Sequence, residues 1–140
     1  MSTNTGKKAV RKGKSGEREF IRTVYRLTKG EIELNRNLTQ PRDGGDDLEG
    51  YLNFSIEVKR WKRVSDALVR DWWAQCQRNA AQQEKVPVLA YRADQQGWKV
   101  VMHPNKYFEE SEVQGCLTMD VELFVQYLLD PENTLPLTYH

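Results

Sequence analysis

The hexapeptide Phe54-Ser55-Ile56-Glu57-Val58-Lys59 alternates apolar and polar residues without a break. A strict period of two marks a strand with one face against a core. Phe54, Ile56 and Val58 take one face, and Ser55, Glu57 and Lys59 the other. Glu57 and Lys59 then stand about 6.6 Å apart on the same side of a sheet. A fold built on this chain has to cover the apolar face and leave the carboxylate and ammonium together on the opposite one.

The flanking sequence supplies the covering elements. Ser15 reads as an N-cap before acids Glu17 and Glu19, and Phe20, Ile21, Val24 and Leu27 follow at helical spacing, which predicts a helix from Gly16 to Lys29 ended by Gly30. Ile32 to Leu38 reads as a strand, and the turn-rich run from Gln40 to Gly45 follows it. Two short strands between Leu48 and Val58 meet around Gly50 to Asn53. Ser65 opens a second helix to Gln83, with Leu68, Trp72, Cys76 and Ala80 along one stripe. Val86 to Tyr91 and Trp98 to Met102 read as strands joined by the turn Asp94-Gln95-Gln96-Gly97. A last helix from Met119 to Leu129 puts Val121, Phe124, Val125 and Leu128 on one face, and Pro131 stops it. The order is helix, three strands, helix, two strands, helix, an α/β arrangement with one mixed sheet flanked by helices.

With 140 residues, 39% apolar and 29% charged, the chain suits one soluble domain. Its expected extent is 15–132, between a basic arm at 1–14 and a polar tail at 133–140. No window approaches the roughly 18 apolar residues that span a bilayer, and the N-terminus lacks the apolar stretch of a signal peptide, so a cytoplasmic location is expected. Cys76 and Cys116 are far apart, with only His103 and His140 as imidazole partners, so we expect two free, packed thiols and no zinc site. The net charge of +1 conceals an asymmetry: Lys7, Lys8, Arg11, Lys12 and Lys14 lie in an arm without acids, while the remainder is net acidic. That arm reads either as a mobile solubilising terminus or as a contact for phosphates.

Asp47 beside a Gly-rich turn, followed by Glu57-Val58-Lys59, is a pattern with chemical content. Hydrolysis of a phosphodiester needs a deprotonated water, a neutralised phosphoryl group and a stabilised leaving alkoxide. Mg²⁺ held by hard oxygens supplies these. Glu57, Asp47 and the Val58 carbonyl would hold the ion, and Lys59 would place positive charge where the transition state is negative. Glu17, three, four and seven residues before Phe20, Ile21 and Val24, shares their helix face and is a further candidate ligand, direct or through water. Taken singly, each piece also fits a solvated strand face, a capped turn or a first-turn acid. Asp46 is as good an acid as Asp47 on these grounds.

These residues resemble the PD-(D/E)XK nuclease superfamily, and within it the small Holliday-junction-resolvase-like enzymes of archaea and phages. The resemblance spans roughly residues 14 to 92: Lys14-Ser15-Gly16-Glu17-Arg18-Glu19-Phe20, Gly45-Asp46-Asp47-Leu48, Ile56-Glu57-Val58-Lys59-Arg60, Trp72-Trp73-Ala74-Gln75 and Pro87-Val88-Leu89-Ala90-Tyr91-Arg92. It implies a restriction-endonuclease-like fold, Mg²⁺ with Mn²⁺ as an alternative, and catalytic Glu17, Asp47, Glu57, Lys59 and Gln75. It favours Asp47 over Asp46 because aliphatic Leu48 follows. The residue before the acid is not Pro, a position that the superfamily often varies. Gln75, three residues after Trp72 and seven after Leu68, is expected on the buried stripe.

Branched DNA cut on two strands implies a homodimer. Arg60, Lys62 and Arg63 form an expected basic rim for the DNA backbone, along with the arm. Trp61, Trp72, Trp73 and Trp98 serve either as base-stacking surfaces or as core and interface anchors. Competing functions are a nuclease for another DNA substrate and a catalytically silent binding module on the same fold.

Overall fold

A computed structural model describes residues 2–37, 47–49, 53–103 and 115–130, with backbone alone at 2–14 and 49. Helix α1 (Ser2–Leu27) ends where Gly30 adopts φ 83° and donates its N–H to the Tyr25 carbonyl, the left-handed cap that glycine accepts without steric cost. The helix begins at Ser2 and not at Gly16, so Ser15 is an interior residue and no N-cap. Residues 2–14 hold no proline, and Lys7, Lys8, Ala9, Arg11, Lys12 and Lys14 are good helix formers that let a downstream helix propagate backward.

Beyond the cap, Ile32 and Leu34 are buried, but only β1 (Asn35–Arg36) pairs as a strand. The expected strand is shorter at its start because the Ile32 N–H is spent on the Thr28 hydroxyl, still part of the helix end. Strands β2 (Leu48–Glu49) and β3 (Phe54–Trp61) follow, then α2 (Asp66–Gln82), where the Ser65 hydroxyl accepts the Leu68 N–H at 3.2 Å as the N-cap reading requires. Strands β4 (Val86–Ala93), β5 (Lys99–Met102) and β6 (Leu117–Asp120) precede α3 (Val121–Leu129). Strand β6 is an element that sequence periodicity misses, and Met119 belongs to it, not to the last helix. Four residues are too few for a period to register; what fixes them is pairing with β5, from Lys99 opposite Asp120 to Met102 opposite Leu117. Pro131 and the tail at 133–140 lie outside the described residues.

The six strands line up in chain order, antiparallel throughout except for the parallel pair β3 and β4, which α2 connects. The result is the restriction-endonuclease-like arrangement, a mixed sheet with helices on both faces. Alternation sorts the side chains. Ile56, Val58, Val88, Ala90, Val100 and Met102 face α1 and α3, where Phe20 and Phe124 are fully buried. Leu89 and Val101 face α2 and pack under Trp72 and Cys76. Phe20 stacks at 5.1 Å from Trp98 and 6.5 Å from Phe124, joining both helices to the sheet.

Helix α1 lies close against β3 at Gly16, where an added Cβ would stand 2.9 Å from the Arg60 Cβ, an atom that cannot swing aside. Gly16→Ala is therefore expected to lower stability by about 1–3 kcal/mol, as overpacking does, although in an open helix the same change would add about 1 kcal/mol. Urea denaturation would read the sign directly. Among the described residues, no helix is long and apolar enough to cross a membrane.

Candidate active site

Strand β3 and the start of β2 build the site. Asp47 is held through its backbone on two sides: its N–H donates to the Ile56 carbonyl at 2.9 Å, and its carbonyl accepts the Asn37 N–H at 2.9 Å. Its side chain turns inward, where Oδ2 accepts the Val58 N–H at 2.8 Å. The N–H and C=O of a strand residue point to the same side, so the Val58 carbonyl faces the side that Asp47 occupies. Asp47 thus takes the place a longer β2 would fill beside β3.

Glu57 lies on the α2 face of the strand and is 4% exposed. A carboxylate that deep requires donors, and Asn79 of α2 supplies one, Nδ2 to Oε1 at 2.5 Å. Lys59, half-buried, follows on the same face. The buried Cys76 thiol senses all three charges. Burial pushes its pKa well above the usual thiol range, Glu57 and then Asp47 push it further the same way, and Lys59 opposes them. The charges of Asp47, Glu57 and Lys59 thus all act on the one buried thiol beneath α2.

Glu17 is placed differently. Its carboxylate takes the Arg36 Nε at 3.2 Å, which ties α1 to β1 at the residue that pairs with Leu48, one step from Asp47. Among the described residues, no group of three or more His, Cys, Asp or Glu side chains could hold a metal ion, so Glu17, Asp47 and Glu57 do not form a three-carboxylate cage. The hard-oxygen set Asp47, Glu57 and Val58 carbonyl still fits Mg²⁺, which keeps several waters and usually takes one or two carboxylates.

Other expected site residues sit elsewhere. Gln75 is exposed and not on the buried stripe of α2; the amide that reaches Glu57 is Asn79, which the sequence reading missed. Its signal was present as a polar residue three positions after Cys76. Arg36, also missed, is visible only through the tertiary pairing with Glu17. Arg60 is not a rim cation. Alternation turns it to the face opposite Lys59, where it pairs with Glu19 at 3.3 Å and Asp94 at 3.0 Å; Glu19 also takes Arg92 at 2.8 Å and the Trp98 indole N–H at 3.1 Å. This network clamps α1 onto the ends of β3 and β4. Lys62 and Arg63 are exposed, as a rim requires. Cys76 is buried and Cys116 exposed, both free, so only one thiol is packed. Asp46 and the turn at 40–45 lie outside the described residues.

A family model described as "phage putative PDDEXK endonuclease" matches residues 8–128, which include most of α1, all of α2 and of β1 to β6, and nearly all of α3. The chain belongs to this PD-(D/E)XK family. No curated protein matches it. Membership makes the chain one of a nuclease family. In this PD-(D/E)XK chain, Asn79 holds one Glu57 oxygen and thereby orients the other. Asn79→Ala is expected to reduce cleavage by roughly 10- to 100-fold, the usual effect of removing an outer partner of a metal ligand. The circular dichroism spectrum should not change, and restoring a donor with Asn79→Gln should recover part of the rate.

Proposed function

We propose that the chain is a divalent-metal-dependent endodeoxyribonuclease acting on branched or otherwise structured DNA. The observation that carries this reading is the Asp47 carboxylate bonded to the Val58 N–H, which brings an acid to the strand bearing Glu57 and Lys59. Asp47, Glu57 and the Val58 carbonyl would hold the ion, with Mg²⁺ the expected one. Bound there, a divalent cation would supply a more acidic water and would offset the charge of the phosphodiester. Lys59 directs its ammonium at the phosphoryl oxygens, where negative charge grows in the transition state. Asn79 keeps Glu57 in a fixed orientation, and Glu17 with Arg36 fixes the β1–β2 corner beside Asp47.

DNA contacts come from Lys62 and Arg63 and from the basic positions Lys7, Lys8, Arg11, Lys12 and Lys14. Each neutralised phosphate adds to affinity and to its salt dependence. Paired cuts on two strands require two sites, hence a homodimer, which sedimentation of the protein bound to DNA would check. The substrate is tested by cleavage of end-labelled four-way junction, flap, single-stranded and linear duplex DNA with Mg²⁺. Symmetrically paired nicks in the junction with little cutting of the linear duplex are expected. Fast linear cutting with an intact junction would instead assign the site to a nuclease of another substrate.

A further inference from the structure

The four tryptophans divide sharply in burial. Trp98 and Trp72 are in the core at 4% and 6% exposure, and Trp73 packs partly buried on α2, whereas Trp61 at the end of β3 is 46% exposed. Trp61 lies two residues beyond Lys59 and four beyond Glu57, so alternation puts its ring on the same face of the sheet. Its contact with Trp72 of α2, ring centroids 5.9 Å apart, confirms that face. Trp72 in turn meets Tyr91 at 6.3 Å, and Tyr91 is the register partner of Lys59. A row of three aromatic rings thus lies on the face that bears the lysine, with Trp72 buried, Tyr91 half-buried and Trp61 the most open to solvent. Lys62 and Arg63, both exposed, follow directly.

An isolated exposed tryptophan on a loop would mean little. This one is braced from beneath by a buried indole and sits beside two cations, at about 6.6 Å from Lys59 along the strand. That distance equals about two base steps of a stacked DNA strand. A ring held this way offers a flat apolar surface at low entropic cost, with positive charge placed for the phosphates on either side.

We infer that Trp61 is a stacking platform for an unpaired DNA base within a nucleotide or two of the phosphate held at Lys59. Fully paired duplex keeps its bases stacked on one another and offers no free π-face, whereas junction centres, flaps, gaps and single strands do. Trp61 would then select DNA with unpaired bases through binding and not through the chemistry at Asp47 and Glu57. This inference rests on DNA being the substrate.

The test is equilibrium binding in EDTA, where no cleavage occurs, of the full chain and of Trp61→Ala and Trp61→Phe. The probes are a labelled single-stranded oligonucleotide, a duplex with a short unpaired gap, and the matched duplex. Trp61→Ala should weaken binding to the strand and the gapped duplex by about tenfold, the scale of one base–aromatic stack. Binding to the matched duplex should stay within about twofold, since phosphate contacts dominate there. Trp61→Phe should recover most of the loss, which a merely structural role would not show in a substrate-selective way. Equal weakening on all three probes, no weakening on any, or a loss that follows dissociation of a dimer in sedimentation would overturn the platform. If the wild-type chain binds the matched duplex and Trp61 has no selective effect, this inference alone fails. If it binds no DNA, the nuclease reading fails with it.

Discussion

Lys59→Ala should lower the single-turnover cleavage rate by about a thousandfold, the upper end of what removing one electrostatic donor costs, while DNA affinity changes by no more than about threefold. The asymmetry follows from position. Affinity for DNA is spread over many phosphate contacts, so one of them changes binding little. Charge at the reacting phosphoryl group is stabilised only where a cation reaches it, and Lys59 is the ammonium that follows Glu57 on the same strand face. Lys59 is half-buried, and alanine suits the site sterically, so the melting temperature should move little. Full activity in the variant would place the chemistry elsewhere.

The second large effect separates two roles of one residue. Asp47 accepts the N–H of Val58, itself 4% exposed. Asp47→Ala leaves that buried donor without its acceptor, which costs about 1–3 kcal/mol of stability. It also removes a hard-oxygen ligand. Asp47→Asn retains an acceptor for the Val58 N–H, so it should cost about 1 kcal/mol or less. Its neutral amide is nevertheless a poor ligand for a hard cation, and cleavage should fall by about a hundredfold or more. Denaturant titration beside initial rates would resolve the two. An Asp47→Asn variant with wild-type cleavage would remove Asp47 from the ion's ligand set, even if Asp47→Ala were unstable.

These two residues also show what was legible from sequence. Period-two alternation from Phe54 to Lys59 holds through the whole strand, so the separation of Ile56 and Val58 from Glu57 and Lys59 is set by local geometry alone, and the structure retains it. Ser65 as a cap and Gly30 as a helix end were legible for the same reason: each acts through bonds to residues within five positions. What was not legible depends on contacts distant in sequence. Strand β6 exists through its pairing with β5. Arg60 looks like a rim cation until α1 places Glu19 against it. Gln75 and Asn79 differ by a rotation. At 3.6 residues per turn, Gln75 lies about 100° from Cys76, the centre of the buried stripe, and Asn79 only about 60° from it. A stripe drawn from Leu68 and Trp72 tilts toward Gln75, whereas the packed helix centres on Cys76 and brings Asn79 over Glu57.

The central claim is that Asp47, Glu57 and Lys59 form a metal-dependent phosphodiester-hydrolysing centre. The most direct measurement is cleavage of end-labelled DNA bearing a branch and single-stranded ends, by the purified full chain, in Mg²⁺ and in EDTA at matched ionic strength. Cleavage with Mg²⁺, lost in EDTA and restored by excess metal, is the result expected. Equal cleavage in EDTA, or none with Mg²⁺ or Mn²⁺ by a chain that is folded and binds the same DNA, would contradict it.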